Sequence, residues 1–423
     1  MRRAAAFAAL LILAAGVSGC NKLKARDLLN KGVAEFKGGQ YDKAIEFFKQ
    51  SKDLDPGLMN ARLYLATAYA SQYIPGAPSE QNVRLGTQAV NEFKEVLEVD
   101  SNNLSAIDGI GSIIFQMAGT PYDPKKFEES KSYHQKHIEL KPNDPEPYYW
   151  IGVIDWTLAF RANGELRADY NKNNLKKQVK DTDPLPPAVR GQYDTAIEDF
   201  KQAKDLDPSL MNARLYLATA YASQYIPGAP SEQNVRLGTQ AVNEFKEVLQ
   251  LDPNNLSAID GIGSIIFQMA GTPYDPKKFE ESKSYHKKHI ELKPSDPEPY
   301  YWIGVIDWTL AFRANGEVRA EYNKNNIRKQ LKDNDPLPPA LRAEYAAKYG
   351  PLVDEGIAGL QKAIELRPDY DDAMAYLNLL YRRKADMVES AEERAALQKQ
   401  ADDLIDKVKE IKQKRAEQPQ SPS

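Results

Sequence analysis

The four histidines of the chain form two identical pairs, His134 with His137 and His286 with His289. Two imidazoles three residues apart lie on the same face of a helix, and such a pair could share a zinc ion. A structural zinc site takes four ligands, and the sequence specifies no third ligand beside either pair. Packing in a protein core is therefore the interpretation we favour for these histidines, with metal binding as the alternative.

A second short motif, DGIGS from Asp108 to Ser112, contains two glycines in the spacing of a phosphate-binding loop. No strand precedes it and a third glycine is missing, so nucleotide binding is not expected. Carboxylates are numerous but scattered, as in FEES from Phe127 to Ser130, which is typical of a solvated helix face. Because no nucleophile lies beside a base, we expect no catalytic site, no metal site and no cofactor.

The first twenty residues are a separate unit. Arg2 and Arg3 precede an apolar run from Ala4 to Ala15, which is followed by VSGC ending at Cys20. An apolar run of about a dozen residues is too short to span a membrane and is typical of a secretory signal. Cys20 is the only cysteine of the chain, which excludes a disulfide within the chain and a thiolate metal cluster.

The segment VSGC resembles the lipobox of bacterial lipoproteins. In that family the residue that matches Cys20 is diacylated on its sulfur and becomes the new N-terminus. The resemblance implies a signal peptide over residues 1–19, an acylated anchor with a short linker over residues 20–24, and stable attachment to a membrane. Asn21 after the cysteine resembles the outer-membrane sorting pattern, so we expect the bacterial cell envelope, at the outer membrane and facing the periplasm. A chance cysteine after an ordinary signal peptide is the alternative.

The charge balance excludes one class of partner. Without residues 1–19 the chain keeps 54 basic and 60 acidic residues, a net charge of about −6. A nucleic-acid-binding protein would show a basic surplus, so no nucleic-acid partner is expected.

Residues 41–190 and 193–342 are a tandem duplication with an offset of 152 residues. Only 16 of the 150 aligned positions differ, and the stretch Tyr69–Leu97 recurs at Tyr221–Leu249 without a change. Two near-identical surfaces could raise avidity for a repetitive partner. The duplication could equally be too recent for selection to have acted, and the sequence leaves both explanations open.

A shorter period is nested in each copy. From Ala25 to Pro56, apolar residues at helical spacing lie on either side of Gly38 and Gly39, which predicts two amphipathic helices joined by a turn. This hairpin resembles a tetratricopeptide repeat (TPR). Counted from Ala25, the family's positions 8, 20, 24 and 32 are Gly32, Ala44, Phe48 and Pro56. In that family the small residues let the helices approach, the aromatic ring fills the gap between hairpins, and proline ends the second helix.

The resemblance can be followed through eight hairpins and covers nearly all of residues 25–410. It implies an all-α, TPR-type α-solenoid, a right-handed superhelix of about eight helical hairpins. The expected domains are a TPR array over residues 25–192, a second array over 193–368, a C-terminal TPR with a capping helix over 369–414, and a disordered tail over 415–423. The seam of the duplication falls inside the fourth hairpin.

In TPR proteins, ligands commonly lie in a concave groove lined by the first helix of each hairpin. The matching positions in the third and fourth hairpins are Asp108, Ser112, Phe115, Tyr149, Val153 and Trp156. The second copy repeats them as Asp260, Ser264, Phe267, Tyr301, Val305 and Trp308. Solvent-facing Trp and Tyr side chains there would hold a peptide or a sugar ring. The alternative is that these aromatic side chains only pack the solenoid.

Two inserts depart from the family pattern: SQYIPGAPSEQN, from Ser71, and a longer segment from Asn163 to Pro187. We expect both to be loops, which are either functional or mobile at this length. TPR receptors of chaperone tails hold a carboxylate with Lys and Asn at positions 5 and 9 of the first hairpin. Leu29 and Val33 occupy those positions here, so such a partner is disfavoured.

The resemblance thus predicts a binding scaffold for another envelope protein or peptide, whose identity the sequence does not give, with membrane contact through the lipid anchor. The alternative is a glycan-capturing lipoprotein, similar in outline to TPR-containing starch-binding lipoproteins. In that case an oligosaccharide would stack on Trp156 and Trp308.

Overall fold

The computed structural model describes residues 2–173, 186–327, 330–332 and 335–417, with residues 2–19 described in their backbone only. Over these residues the chain forms sixteen α-helices and no strand. Successive helices pair into hairpins. The prediction of an all-α fold built from helical hairpins is therefore confirmed.

The chain divides into two compact units. The first holds the residues up to 168 together with 186–213. Its helices are α1 (Arg2–Lys37), α2 (Tyr41–Leu54), α3 (Met59–Gln72), α4 (Glu80–Val99), α5 (Leu104–Ala118), α6 (Pro124–Leu140), α7 (Pro145–Asn173) and α8 (Pro187–Leu206). The last residues of α7 are assigned to the second unit.

The second unit begins within the next helix, after Ala213. Its helices are α9 (Met211–Gln224), α10 (Glu232–Leu251), α11 (Leu256–Ala270), α12 (Pro276–Leu292), α13 (Pro297–Asn325), α14 (Pro339–Leu366), α15 (Asp371–Ala385) and α16 (Ala391–Glu417). The division between the units thus falls after α8, although the seam of the duplication lies between residues 192 and 193.

Glycines on the first helices make room for rings on the second helices. A Cβ atom at Gly32 would overlap the Phe48 ring, and one at Gly152 would lie 2.7 Å from the ring of Phe200. The second contact explains why α8 belongs with α7: it completes the hairpin that α7 begins. A side chain larger than hydrogen at these glycines would push the paired helices apart, since protein interiors leave no spare volume.

The same packing accounts for the glycines of the DGIGS motif. Gly109 faces the ring of Phe93 in the preceding hairpin, so closely that a Cβ atom would overlap it. At Gly111 a Cβ atom would lie 2.8 Å from Nε2 of His134. Both glycines therefore serve close helix packing.

The second insert, from Asn163 to Pro187, is helical over its first part, so the expectation that all of it is a loop is wrong. Helix α7 continues through Asn173 and α13 through Asn325, about three turns beyond the point where a loop was expected to begin. Within the extension, Arg167 Nε donates to Asn163 Oδ1 (2.8 Å), one helical turn away. Glu, Leu, Arg and Ala in this stretch have good helix propensity, which outweighs the single Gly164. Residues 174–185 of the insert lie outside the described residues.

The sequence predicts a disordered tail from residue 415, and this boundary is also wrong. Helix α16 continues to Glu417, because Arg415 holds its last turn against the loop before α15. The guanidinium of Arg415 donates to Asp371 Oδ1 (2.8 Å) and to the carbonyl of Asp369 (2.7 Å). Residues 418–423 lie outside the described residues.

A lysine and two acidic side chains meet between α6, α7 and α8. Lys131 Nζ donates to both carboxylate oxygens of Asp155, at 2.7 and 2.8 Å, and Asp155 is buried. Burial, with the negative charge of Asp155 nearby, raises the pKa of Asp199 from its ordinary 3.8 to about 7. In the second unit Lys283 donates to Asp307 (2.6 Å) and to Glu355 (2.8 Å), and burial raises the pKa of Asp307 to about 7.

His134 and its counterpart His286 are buried neutral imidazoles. His134 stacks on Trp150 with ring centroids 6.0 Å apart, and neither of its nitrogens has a hydrogen-bond partner among the described residues. Burial lowers the pKa of His134 from 6.5 to about 4, and His286 behaves alike beside Trp302. Within the described residues, no group of three His, Cys, Asp or Glu side chains could hold a metal ion.

Asp199→Asn is expected to stabilise the protein increasingly as the pH rises from about 4 to 7. Folding raises the pKa of Asp199, so its ionised form costs stability; the cost is absent near pH 4 and complete above pH 7. The amide removes this cost, and the thermal midpoint should rise by about 2 °C or more at pH 8 and stay nearly unchanged at pH 4. Circular dichroism melts at both pH values measure this. Asp205→Asn, an exposed change on the same helix, is the control. An equal rise of the Asp199 variant at both pH values would show that charge is not the cause.

His134→Phe combined with His286→Phe is expected to reduce acid sensitivity. Folding lowers the pKa of both histidines to about 4, so the parent loses stability as pH falls from 6.5 to 4. Phenylalanine does not titrate, and it already faces the equivalent glycine in the first hairpin. The fall in thermal midpoint between pH 7.5 and 4.5 should shrink by about 2 °C or more. Gln135→Ala, exposed on the same helix, should keep the parental pH dependence. If the double variant keeps it too, other groups cause the acid sensitivity.

Candidate partner-binding surfaces and the anchor

Asp108, one of the predicted groove residues, holds a histidine of its own hairpin. Nδ1 of His137 donates to Asp108 Oδ1 (2.7 Å), and Nε2 of the same ring lies 3.5 Å from Asp144 Oδ2. Partial burial raises the pKa of Asp108, and the bond to His137 acts in the opposite direction. Asp260 and His289 repeat the contact at 2.6 Å. His137 and His289 are thus each oriented by carboxylates of their own hairpin.

Phe115 and Phe267 are half-buried between helices. Phe115 meets Phe127 edge to face, with ring centroids 5.4 Å apart, and meets Trp150 in the same way at 5.6 Å. Phe267 repeats both contacts in the second unit. Ser112 and Ser264, one turn earlier, are also half-buried. The faces of both phenylalanine rings are used in packing, so only their edges contribute to the protein surface.

The expectation that Tyr149 faces solvent is wrong. Its side chain is 8% exposed and packs against Trp150 and Phe200, with ring centroids 5.3 and 6.3 Å away. Tyr301 lies 5.1 Å from Tyr370 and 5.8 Å from Tyr376, ring to ring. Val153 and Val305 are buried as well. The physical reason is that the aromatic side chain at this position fills the space beside the next helices.

Trp156 and Trp308 are partly exposed, and each stacks on a phenylalanine one turn further along its helix. The centroids of Trp156 and Phe160 are 5.5 Å apart with the rings tilted by 20°, and those of Trp308 and Phe312 are 5.2 Å apart at 23°. Phe160 is 56% exposed and Phe312 52%. We call these the two Trp–Phe pairs. The sequence analysis missed the phenylalanines, although a spacing of four residues after each tryptophan could have pointed to them.

In the second unit, neighbouring side chains hold the Trp–Phe pair in place. Tyr376 of α15 meets the Trp308 ring edge to face, with centroids 5.3 Å apart. The guanidinium of Arg383 lies 5.9 Å from the centre of the Phe312 ring. Arg313, which follows Phe312 in the chain, places its guanidinium 5.1 Å from the centre of the Tyr274 ring. An exposed aromatic face beside arginines has the composition of an interface hot spot.

The first insert is a loop with its own internal support. Asn82, at the start of α4, is 5% exposed; its Oδ1 accepts from the N–H of Ile74 (2.8 Å), and its Nδ2 donates to the carbonyls of Ile74 (2.7 Å) and Ala77 (3.0 Å). Ser79 caps α4 by accepting from the N–H of Asn82. Asn234 makes the same three bonds in the second copy. The loop is thus organised by one buried amide.

Cys20 lies in α1, five residues before the first buried side chain of the repeats, that of Ala25. Its thiol is exposed and makes no disulfide. Residues 20–24, expected to form a linker, are part of this helix. No helix in the described part of the chain is both long enough and apolar enough to cross a membrane.

Comparison with known proteins identifies one segment directly. Residues 28–58, which include the second part of α1 and all of α2, match the family model of the tetratricopeptide repeat. No curated protein matches the chain.

Solved structures of TPR proteins resemble the chain at low sequence identity. One from Parabacteroides merdae is 12% identical, covers 85% of this chain and 99% of its own length, and has a TM-score of 0.44. PilF of Pseudomonas aeruginosa is 14% identical over 65% of this chain and 94% of its own, with a TM-score of 0.42. TTC0263 of Thermus thermophilus is 16% identical over 57% and 99%, with a TM-score of 0.36.

The matched hairpin pairs a glycine of α1 with an aromatic ring of α2, and the same pairing joins α7 to α8. Residues 28–58 therefore form a tetratricopeptide repeat.

Proposed function

We propose that this protein is a non-enzymatic, protein-binding scaffold of the bacterial cell envelope, held at the outer membrane, on its periplasmic side, by acyl chains on Cys20. TPR arrays support protein–protein interaction, which makes a protein or peptide the expected class of partner. The observation that carries the proposal is the pair of exposed Trp–Phe stacks, repeated 152 residues apart.

The partner-binding surface centres on the two Trp–Phe pairs. Exposed phenylalanine rings supported by a neighbouring tryptophan offer rigid apolar area, which lowers the entropic cost of binding. Of the residues proposed from sequence, Trp156, Trp308, Ser112 and Ser264 remain partly exposed candidates. Tyr149 is excluded from direct contact by its burial.

Phe160→Ser combined with Phe312→Ser is expected to abolish partner capture without unfolding the protein, because both side chains are more than half exposed. The test is a pull-down from detergent-solubilised envelope of the source organism, with full-length parent and variant on beads. Val99→Ser with Leu251→Ser removes a matched pair of exposed apolar side chains and is the control. A protein retained by parent and control and lost by the phenylalanine variant supports the surface. Equal retention by all three would place the partner elsewhere.

Cys20→Ser is expected to release the protein from the membrane. Two acyl chains and N-acylation anchor a protein stably, and serine offers no sulfur to acylate. Cells fed an alkyne-bearing fatty acid should label the parent in the membrane fraction, whereas the serine variant should be unlabelled. Lys24→Gln, four residues after the cysteine and outside the motif, is a control for changes near the motif. Labelling of both proteins, or of neither, contradicts acylation at Cys20.

Glycan capture is the second candidate, because a stacked and exposed aromatic face is also a surface for a sugar ring. Oligosaccharides should then quench tryptophan fluorescence in the parent, and the Phe160→Ser, Phe312→Ser variant should lose this response. If an oligosaccharide quenches the fluorescence and also prevents capture of the protein partner, the ligand of this surface is a glycan.

A further inference from the structure

A pocket in the first unit lies away from the Trp–Phe pairs. It has a volume of about 340 Å³ and is enclosed by α2, the C-terminal part of α3 and the N-terminal half of α4. Its walls come mainly from the second helices of two successive hairpins, whereas the Trp–Phe pairs lie on first helices. A volume of this size is within the range of small-ligand sites.

Part of the pocket floor is apolar, although most of its lining is polar. Ile45 and Tyr69 are both buried, and Leu85 beside them is half-buried. An aliphatic stem laid over these three side chains removes apolar surface from water, which gains free energy.

Two cations at the rim have no acidic partner among the described residues. Lys49 Nζ lies 5.7 Å from the centre of the Tyr69 ring, and this is the contact that the structure gives it. Arg84 makes neither a hydrogen bond nor an ion pair within the described part of the chain. The one carboxylate of the pocket, on Asp42, already accepts from the amide of Gln72 (2.7 Å).

Two other cations of the same hairpins have acidic partners. Lys52 binds Glu92 at 2.7 Å, and Arg62 binds Glu95. In the second copy the counterpart of Lys49, Lys201, is paired with Glu198 at 2.7 Å. The pocket therefore holds two cations against one carboxylate, a small positive surplus in a chain whose net charge is −4.

We propose that this pocket binds an acidic segment of a protein partner, with a glutamate side chain over the apolar floor and its carboxylate between Lys49 and Arg84. A guanidinium takes a carboxylate through two parallel hydrogen bonds, and an ammonium adds a second charge-assisted bond. The amide of Gln88 can donate to a backbone carbonyl of the segment and accept from a backbone N–H. The glutamate methylenes match the apolar floor, which a free inorganic anion would leave unused.

The inference does not rest on the Trp–Phe pairs, and its test can fail separately. The probe is a fluorescein-labelled N-acetyl-Glu-Glu-Glu-amide peptide, and its anisotropy is titrated with the full-length chain. The matched probe carries three glutamines. The acidic peptide should bind at least about tenfold more tightly than the glutamine peptide, and less tightly as salt is raised.

Lys49→Gln with Arg84→Gln should weaken binding of the acidic peptide at least about tenfold. Lys37→Gln with Lys43→Gln removes the same charge from exposed positions of the first hairpin outside the pocket and should change the affinity less than twofold. Leu85→Trp fills the floor, leaves both cations in place, and should also weaken binding; a circular dichroism melt checks its fold. The proposal is overturned if the parent does not bind the peptide at millimolar concentration, if the glutamine peptide binds equally, or if the control variant loses as much affinity as the pocket variant.

Discussion

Close packing of a ring against a glycine is the interaction on which the rest of this structure depends. Gly32, Gly111 and Gly152 each lie beneath a large side chain of the paired helix, namely Phe48, His134 and Phe200. Each such contact sets the distance between the two helices of one hairpin. The same contact in another hairpin sets the distance there in the same way. Because a solenoid unit contacts only its neighbours, a chain built like this can be lengthened by whole hairpins. The seam of the duplication respects the rule, since α8 begins the second copy and closes the hairpin of α7.

Histidine in place of phenylalanine at one contact of each copy has an electrostatic consequence. The imidazole of His134 keeps its place only as the neutral form, because burial lowers its pKa to about 4. Asp199 acts in the opposite sense, since burial beside Asp155 raises its pKa to about 7. The first copy has Phe47 at the position of Asp199, so one of the 16 differences between the copies introduced this carboxylate. The two groups make the stability of the array depend on pH from both sides.

Side chains that the helix packing does not consume remain for function. Tyr149 is used up in packing, whereas the Phe160 and Phe312 rings project outward from a supported base. The pocket between α2, α3 and α4 is a different surface, with unpaired cations around an apolar floor. The chain thus offers an aromatic surface and a cationic one on different helices of its hairpins, which suits a scaffold that holds extended or multiple segments.

Local pattern determined the helical fold. Helical spacing, the glycine turn and the residues at positions 8, 20, 24 and 32 predict the hairpins of this chain, and the separation of 152 residues predicts the duplication. Pattern also suggested Trp156 and Trp308, because a position on a helix is a local property. The continuation of α7 to Asn173 follows from the helix propensity of its own residues and could have been predicted as well. Pattern could not show that Arg415 extends α16, since this depends on a contact with Asp371, far away in sequence. Nor could it show that Tyr149 is buried while Phe160 is exposed, or that Lys49 has no carboxylate partner. Those outcomes depend on which neighbouring helix covers a side chain, and only the tertiary structure decides that.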